Sequence, residues 1–280
     1  MKKNGKKFRD VPMINAIIIT LLFMVFLSLS HVFTIFLEQL NLDFIVSLVL
    51  HFLFRFSTQV ILVLLILALI LGFITNKRLS KDFFSFIHLT KENSNNKAIL
   101  VGILAFFGFW FPSLIISLVL GIYNADINLL IGTPDSSTGN LGWFIFILAI
   151  IPGIWEELGF RGLMLSNLKE KYSERTSVLI SAIFFSLFHF ANLVRQPLDL
   201  VLFGAIMGFI LGASWGYLVN KSNNLIPAIL AHYLVDALAF YFVLTDSASI
   251  TSILIMYVIV SLISVTITFL LAKFFYKKEN

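Results

Sequence analysis

The chain contains no cysteine, and only 12% of its 280 residues are charged. The first absence removes disulfides, thiolate metal sites and a cysteine nucleophile, without deciding the redox compartment. The second excludes an ordinary soluble domain, which carries about 25% charged residues. Several motifs are missing too. There is no His-Glu-x-x-His run, no Gly-x-Ser-Gly, no Gly-x-Gly-Asp and no Walker sequence, so the common zinc-protease helix, rhomboid-like and presenilin-like sites and an ATPase all lack their signature. Gly212-Ala-Ser-Trp-Gly216 matches the nucleophile-elbow pattern only superficially, because it lies within an apolar helical stretch instead of a strand-to-helix turn.

Apolar residues are abundant: 59% of the chain is hydrophobic and the mean hydropathy is +0.97. Runs of about 20 apolar residues signal membrane spans. Hydropathy predicts eight, at 11–37, 44–74, 98–123, 141–160, 177–194, 199–219, 225–244 and 250–272. The expected fold class is therefore all-α, a polytopic membrane protein forming one domain over residues 1–280. The first span follows a basic tail but is too long, and lacks a small-x-small cleavage site, for a secretory signal; it reads as a retained anchor. The second exceeds a simple crossing, so it is either tilted or begins with an interfacial piece carrying His51 and Arg55.

The net charge of +5 need not mean a nucleic-acid partner, because the basic residues are confined to alternate loops. The N-terminal tail, the 75–97 loop, the 161–176 loop, Lys221 and the C-terminal tail hold 18 of the 20 Lys and Arg residues. The other loops carry Arg55 and Arg195, with Asp43, Asp126, Asp135 and Asp246. The positive-inside rule then puts both termini in the cytoplasm. In the 75–97 loop, Leu79, Phe83, Phe86 and Ile87 at helical spacing among Lys77, Arg78, Lys81 and Lys91 suggest an amphipathic surface helix or a plain connector. Gly204, Gly208, Gly212 and Gly216 make one smooth face of the sixth span, suited to close packing of another helix.

Against this apolar background Glu156, Glu157 and Arg161 stand out. Each ionised side chain near the centre of a span costs roughly 2.5 to 3.5 kcal/mol on insertion scales, so a partner is expected for each. Glu157 and Arg161 are four residues apart, in the favourable order for a helical ion pair. Glu156 points about 100° away, free for another task. His189 lies in the fifth span, and His232 and Asp236 share a face of the seventh. At 1.5 Å per residue these two lie about 10 to 16 Å deep and His189 about 20 Å, with Glu156 somewhat shallower. His31, His51 and His88 read as interfacial or packing residues.

Glu156-Glu157-x-x-x-Arg161, Phe185-x-x-x-His189 and His232-x-x-x-Asp236, in this order on successive spans, resemble the CAAX protease and bacteriocin-processing family. This is the Abi family of intramembrane proteases, whose eukaryotic relatives include the Ras-converting CAAX prenyl endopeptidase. The resemblance covers about 150–240. It implies an eight-helix fold with a cavity toward the cytosolic leaflet and a peptide or membrane-protein substrate held within the lipid bilayer. It further implies Glu156 as the base that activates water, His189 orienting that water, and His232 and Asp236 in the oxyanion-stabilising part. Glu157 and Arg161 would give supporting contacts. The family often has Asn where this chain has Asp236, and a negative charge there strengthens metal binding while weakening donation to an oxyanion. Zn2+ on His189, His232 and Asp236 would meet the three-ligand catalytic pattern. A glutamate-only mechanism uses the same residues.

The expected function is thus an intramembrane endopeptidase, metallo- or glutamate-dependent, acting in CAAX-type processing, bacteriocin or pheromone maturation, or self-immunity. In a prokaryote it would sit in the plasma membrane. The competing readings are a non-catalytic scaffold or regulator of a sensor kinase, favoured by degenerate motifs, and an ion-coupled transporter, which lacks a visible repeat.

Overall fold

The computed structural model describes residues 10–72, 74–75, 78–79, 82–89, 95–125, 131–137, 140–239, 242–244 and 250–277. The N-terminal basic tail and Lys77, Lys81, Lys91, Asp126 and Asp246 lie outside the described residues. The architecture is all-α. Helices α1 (Pro12–Gln39), α2 (Phe44–Ile70), α3 (Asp82–Phe86), α4 (Asn95–Val119), α5 (Gly142–Lys169), α6 (Glu174–Val194), α7 (Leu198–Ser222), α8 (Ile226–Ala239) and α9 (Ile250–Phe275) follow in chain order. Seven of them are long and apolar enough to cross a membrane, while α8 is a shorter apolar helix. Two antiparallel pairs of two- and three-residue strands, Ile74–Thr75 with Arg78–Leu79 and Tyr123–Ala125 with Phe242–Leu244, are the strands among the described residues.

Helix starts are fixed by local polar groups. The Asp43 carboxylate accepts from the Ile45 and Val46 amides, the Ser173 hydroxyl from Thr176, and the Asn224 side chain from Ile226. Each satisfies an amide that the helix itself leaves unpaired. Helix α7 ends where Asn223 takes a left-handed conformation, φ 50°. The large exposed hydrophobics of α1, α2, α4 and α9 form an outer apolar surface, as lipid contact requires.

Two elements differ from the sequence expectation. The fourth span was expected to end at residue 160, but its helix continues to Lys169, which places Glu156 about 20 Å from either end. The helix can continue because Glu157 and Arg161 neutralise each other inside the protein, both 0% exposed. Arg161 is accordingly a buried structural cation and not one of the loop charges. The 82–89 segment is a five-residue helix followed by a turn, not an extended surface helix. Phe83 and Ile87 are drawn into the core, where Ile87 packs on Gly162 of α5.

The four-glycine face of α7 does pack closely, and its partner is α6. A Cβ at Gly216 would meet Val178, one at Gly212 would meet Phe185 and Arg161, and those at Gly208 and Gly204 would meet His189. Helix α1 closes the far side of α5. Phe23 stacks on Trp155 with ring centroids 4.2 Å apart and covers Gly159, while Asn15 donates to Asn167 at 2.7 Å.

Candidate active site

Three helices bring the polar residues together. α5 and α8 approach closely at Gly153, where a Cβ would stand 3.0 Å from Tyr233 Cα. One turn further along α5, Glu156 and Glu157 face His232 of α8. The Nδ1 of His232 lies 2.8 Å from Glu157 Oε1, and its Nε2 lies 3.5 Å from Asp236 Oδ2 and 3.8 Å from Glu156 Oε2. A carboxylate can only accept, so Nδ1 carries the proton and donates to Glu157. The same Oε1 receives Arg161 Nη1 at 2.9 Å. Glu157 is thus held from two sides, whereas Glu156, 7% exposed, makes among the described residues only the longer contact to His232.

Arg161 leaves Nε and Nη2 without a hydrogen-bond acceptor among the described residues. Its guanidinium instead lies over the Phe185 ring, 4.0 Å from the centroid, with Trp215 at 5.8 Å. Such contacts repay part of the desolvation of a buried cation. Phe185 also meets His189 edge-on at 4.8 Å and lies 6.2 Å from His232, so one ring spaces both imidazoles. His189 Nδ1 donates to the Phe185 carbonyl at 2.8 Å, which leaves Nε2 as the ring nitrogen available to the cavity that His189 lines. The α-helix gives way to a 3₁₀ turn at His189, and Gly208 fits against the ring.

A cavity of about 230 Å³ is lined by His189, His232 and Asp236, with Ser113 and Ser117 of α4, Gly204 and Gly208 of α7, and the apolar Phe203, Met256 and Tyr257. These lining residues lie near the last turns of α4 and the first turns of α7 and α9. The cavity therefore runs from the middle of the bundle toward the end remote from both chain termini.

Among the described residues no group of three or more His, Asp or Glu side chains converges as a metal cage. His189 has Nδ1 on the Phe185 carbonyl and His232 has Nδ1 on Glu157, which leaves Nε2 of each ring, with Asp236, as the donors that would hold a metal ion. A second helical irregularity lies within the motif itself. The segment Glu157–Met164 is a π-helical turn, as is Phe56–Leu62 in α2, and such turns recur at functional positions because the extra residue re-aims side chains.

Arg55, read from the sequence as part of a tilted span or of an interfacial piece, lies within electrostatic reach of Glu156 and Asp236, with its Nε donating to Gln59 at 2.9 Å. Its signal was available: it is one of only two basic residues outside the basic loops, and the cost that singled out Glu156 applies to it equally. His31 and His51 are hydrogen-bonded to Asn192 and Thr34, in keeping with packing roles.

The fold and these contacts define a multi-pass integral membrane protein with a polar site buried between helices. Residues 138–238 match the family model described as type II CAAX prenyl endopeptidase Rce1-like. Residues 138–238 thus carry a domain of the CAAX protease family, while α1 to α4 and α9 lie outside the matched segment. Comparison with curated proteins and with solved structures gave no match.

Proposed function

We propose that the protein is a glutamate-dependent intramembrane endopeptidase whose working residues are Glu156, His189, His232 and Asp236. The observation that carries this reading is the inequality of the two adjacent acids. Glu157 is engaged through Oε1 by both Arg161 and His232, while Glu156 is buried without a short contact among the described residues. A desolvated carboxylate of that kind is suited to accept a proton from water.

In this scheme Glu156 takes a proton from a water whose other hydrogen is held by His189 Nε2. The hydroxide attacks the peptide carbonyl carbon, the carbonyl becomes an oxyanion, and the C–N bond breaks as the proton passes from Glu156 to the leaving nitrogen. His232, fixed by Glu157 at Nδ1, presents Nε2 toward the reacting centre, and Asp236 holds that edge of the ring. Glu157 and Arg161 keep the constellation in place. The substrate is a peptide or membrane-associated protein bound between the helices.

For the orientation of the chain, the distribution of basic loops favours cytoplasmic termini, so the cavity opens toward the outer half of the bilayer. Purified protein in detergent is expected to cleave apolar peptides. Glu156→Ala and His232→Ala should each lose this activity by at least about 10²-fold, the usual contribution of a positioned acid or base. Full turnover by either variant contradicts the proposal.

A further inference from the structure

A second cavity, of about 740 Å³, opens at the same end of the bundle as the first, between α1, α2 and the start of α5. Its wall contains two arginines in different states. Arg195 is neutralised by Glu38, Nη2 to Oε1 2.7 Å, across the mouth. Arg55 sits roughly 17 Å along α2 from its start. No carboxylate lies within 4 Å of it among the described residues, and its one hydrogen bond, through Nε, goes to Gln59. Of the five N–H donors that a guanidinium carries, those on Nη1 and Nη2 form the edge that binds a planar carboxylate bidentately.

Placing an arginine at this depth is costly, and the obvious purpose would be to offset Glu156 and Asp236. That purpose would bring the charges into contact, as Arg161 and Glu157 are. Instead Arg55 acts on both acids from beyond ion-pair distance and lines an open cavity. The surrounding polar groups do not compete for it: Thr34 is taken by His51, and His31 by Asn192. Beside them Leu37, Leu48 and Leu148 give the cavity apolar walls, which a peptide's side chains can cover. Leu148 is two turns before Glu156 on α5, so the wall leads along that helix toward the proposed base.

We propose that this cavity binds the free C-terminal carboxylate of a peptide substrate through Arg55, and so sets the bond offered to Glu156. The inference rests on the endopeptidase reading for the second clause only; the carboxylate site stands on Arg55 and its cavity.

The test uses full-length protein in detergent carrying Glu156→Gln, so that bound peptide is not consumed. It is incubated with a mixed pool of apolar hexapeptides made as free acids, and separately with the same pool made as C-terminal amides; retained peptide is counted by mass spectrometry. The acids should be retained at least about tenfold better, a preference that Arg55→Gln removes and Arg55→Lys keeps in part. Equal retention of the two pools, no retention of either, or a preference that survives Arg55→Gln overturns the proposal. So does a phosphatidylglycerol-binding loss on Arg55→Gln with peptide retention unchanged, which assigns the cavity to a lipid headgroup. The comparison of acid and amide needs no Arg55 variant, so it decides the matter even if that variant fails to fold. Failure of the parent protein to cleave either pool, with the acid preference intact, sinks the endopeptidase reading and leaves the site.

Discussion

His232 and Glu157 are joined by a 2.8 Å hydrogen bond from Nδ1 to Oε1, 0% exposed on the glutamate side. It links two helices whose residues are 75 positions apart, and it decides which of the two adjacent glutamates is free.

The Glu157–Arg161 pair should behave as a buried ion pair. Removing one partner strands a charge, which costs about 3–5 kcal/mol, whereas removing both is far milder. Arg161→Met alone should therefore lower the thermal midpoint in detergent sharply, and Glu157→Gln together with Arg161→Met should recover much of the loss. A double variant less stable than Arg161→Met would contradict the pairing.

Gly208 and Gly204 offer a paired test of how α7 positions His189. A methyl at Gly208 would stand 2.8 Å from His189 Cε1, too close to fit unless the ring moves, while one at Gly204 would stand an ordinary 3.7 Å from Cδ2. Gly208→Ala should reduce kcat by at least about tenfold, because misplacement of a catalytic group by an ångström is that costly. Gly204→Ala should stay near wild type. Peptide cleavage by the two variants, with their midpoints measured in parallel, separates displacement of the ring from loss of fold.

His88 ties the 82–89 segment to the core outside the membrane-spanning helices. Its Nε2 lies 3.2 Å from the Ser166 hydroxyl and its carbonyl accepts from the Leu225 amide at 3.1 Å. Burial, helped by Lys169, pushes the imidazole down from its ordinary 6.5 to about 4. The unfolded chain therefore binds the proton first, so this stabilisation is complete above about pH 6.5 and is lost as pH falls toward 4. His88→Asn, which tolerates the left-handed φ of 59° at this position, should flatten the fall in thermal midpoint between those pH values. An unchanged slope would remove His88 as its source.

The native absence of cysteine makes orientation directly measurable. With cytoplasmic termini, Phe203→Cys, which lines the active-site cavity, should react with a membrane-impermeant maleimide in intact cells. Arg175→Cys, at the opposite end, should react only after the membrane is opened. The reverse pattern would place the cavity on the cytosolic side and the termini outside.

Periodicity and the cost of charge made the helices and the polar set legible in the sequence, because both depend on residue type and spacing alone. The extent of α5 was not, since whether Arg161 ends a span or lies buried depends on a partner contact that hydropathy does not count. The 82–89 segment stayed open between a surface helix and a connector for a related reason: the spacing of Phe83 and Ile87 suits a bilayer surface or a protein core equally. Arg55 was marked out by the cost of its charge, but its relation to Glu156 was not legible, because that is set by the packing of α2 and no local pattern in the chain encodes it.

The most direct measurement compares the peptides in membranes of cells expressing the wild type with those in cells expressing Glu156→Gln at equal levels. The account predicts peptide termini present with the wild type and absent with the variant, while the variant protein remains folded in detergent. Identical peptide populations from a wild type that also fails to cleave apolar peptides after purification would contradict it.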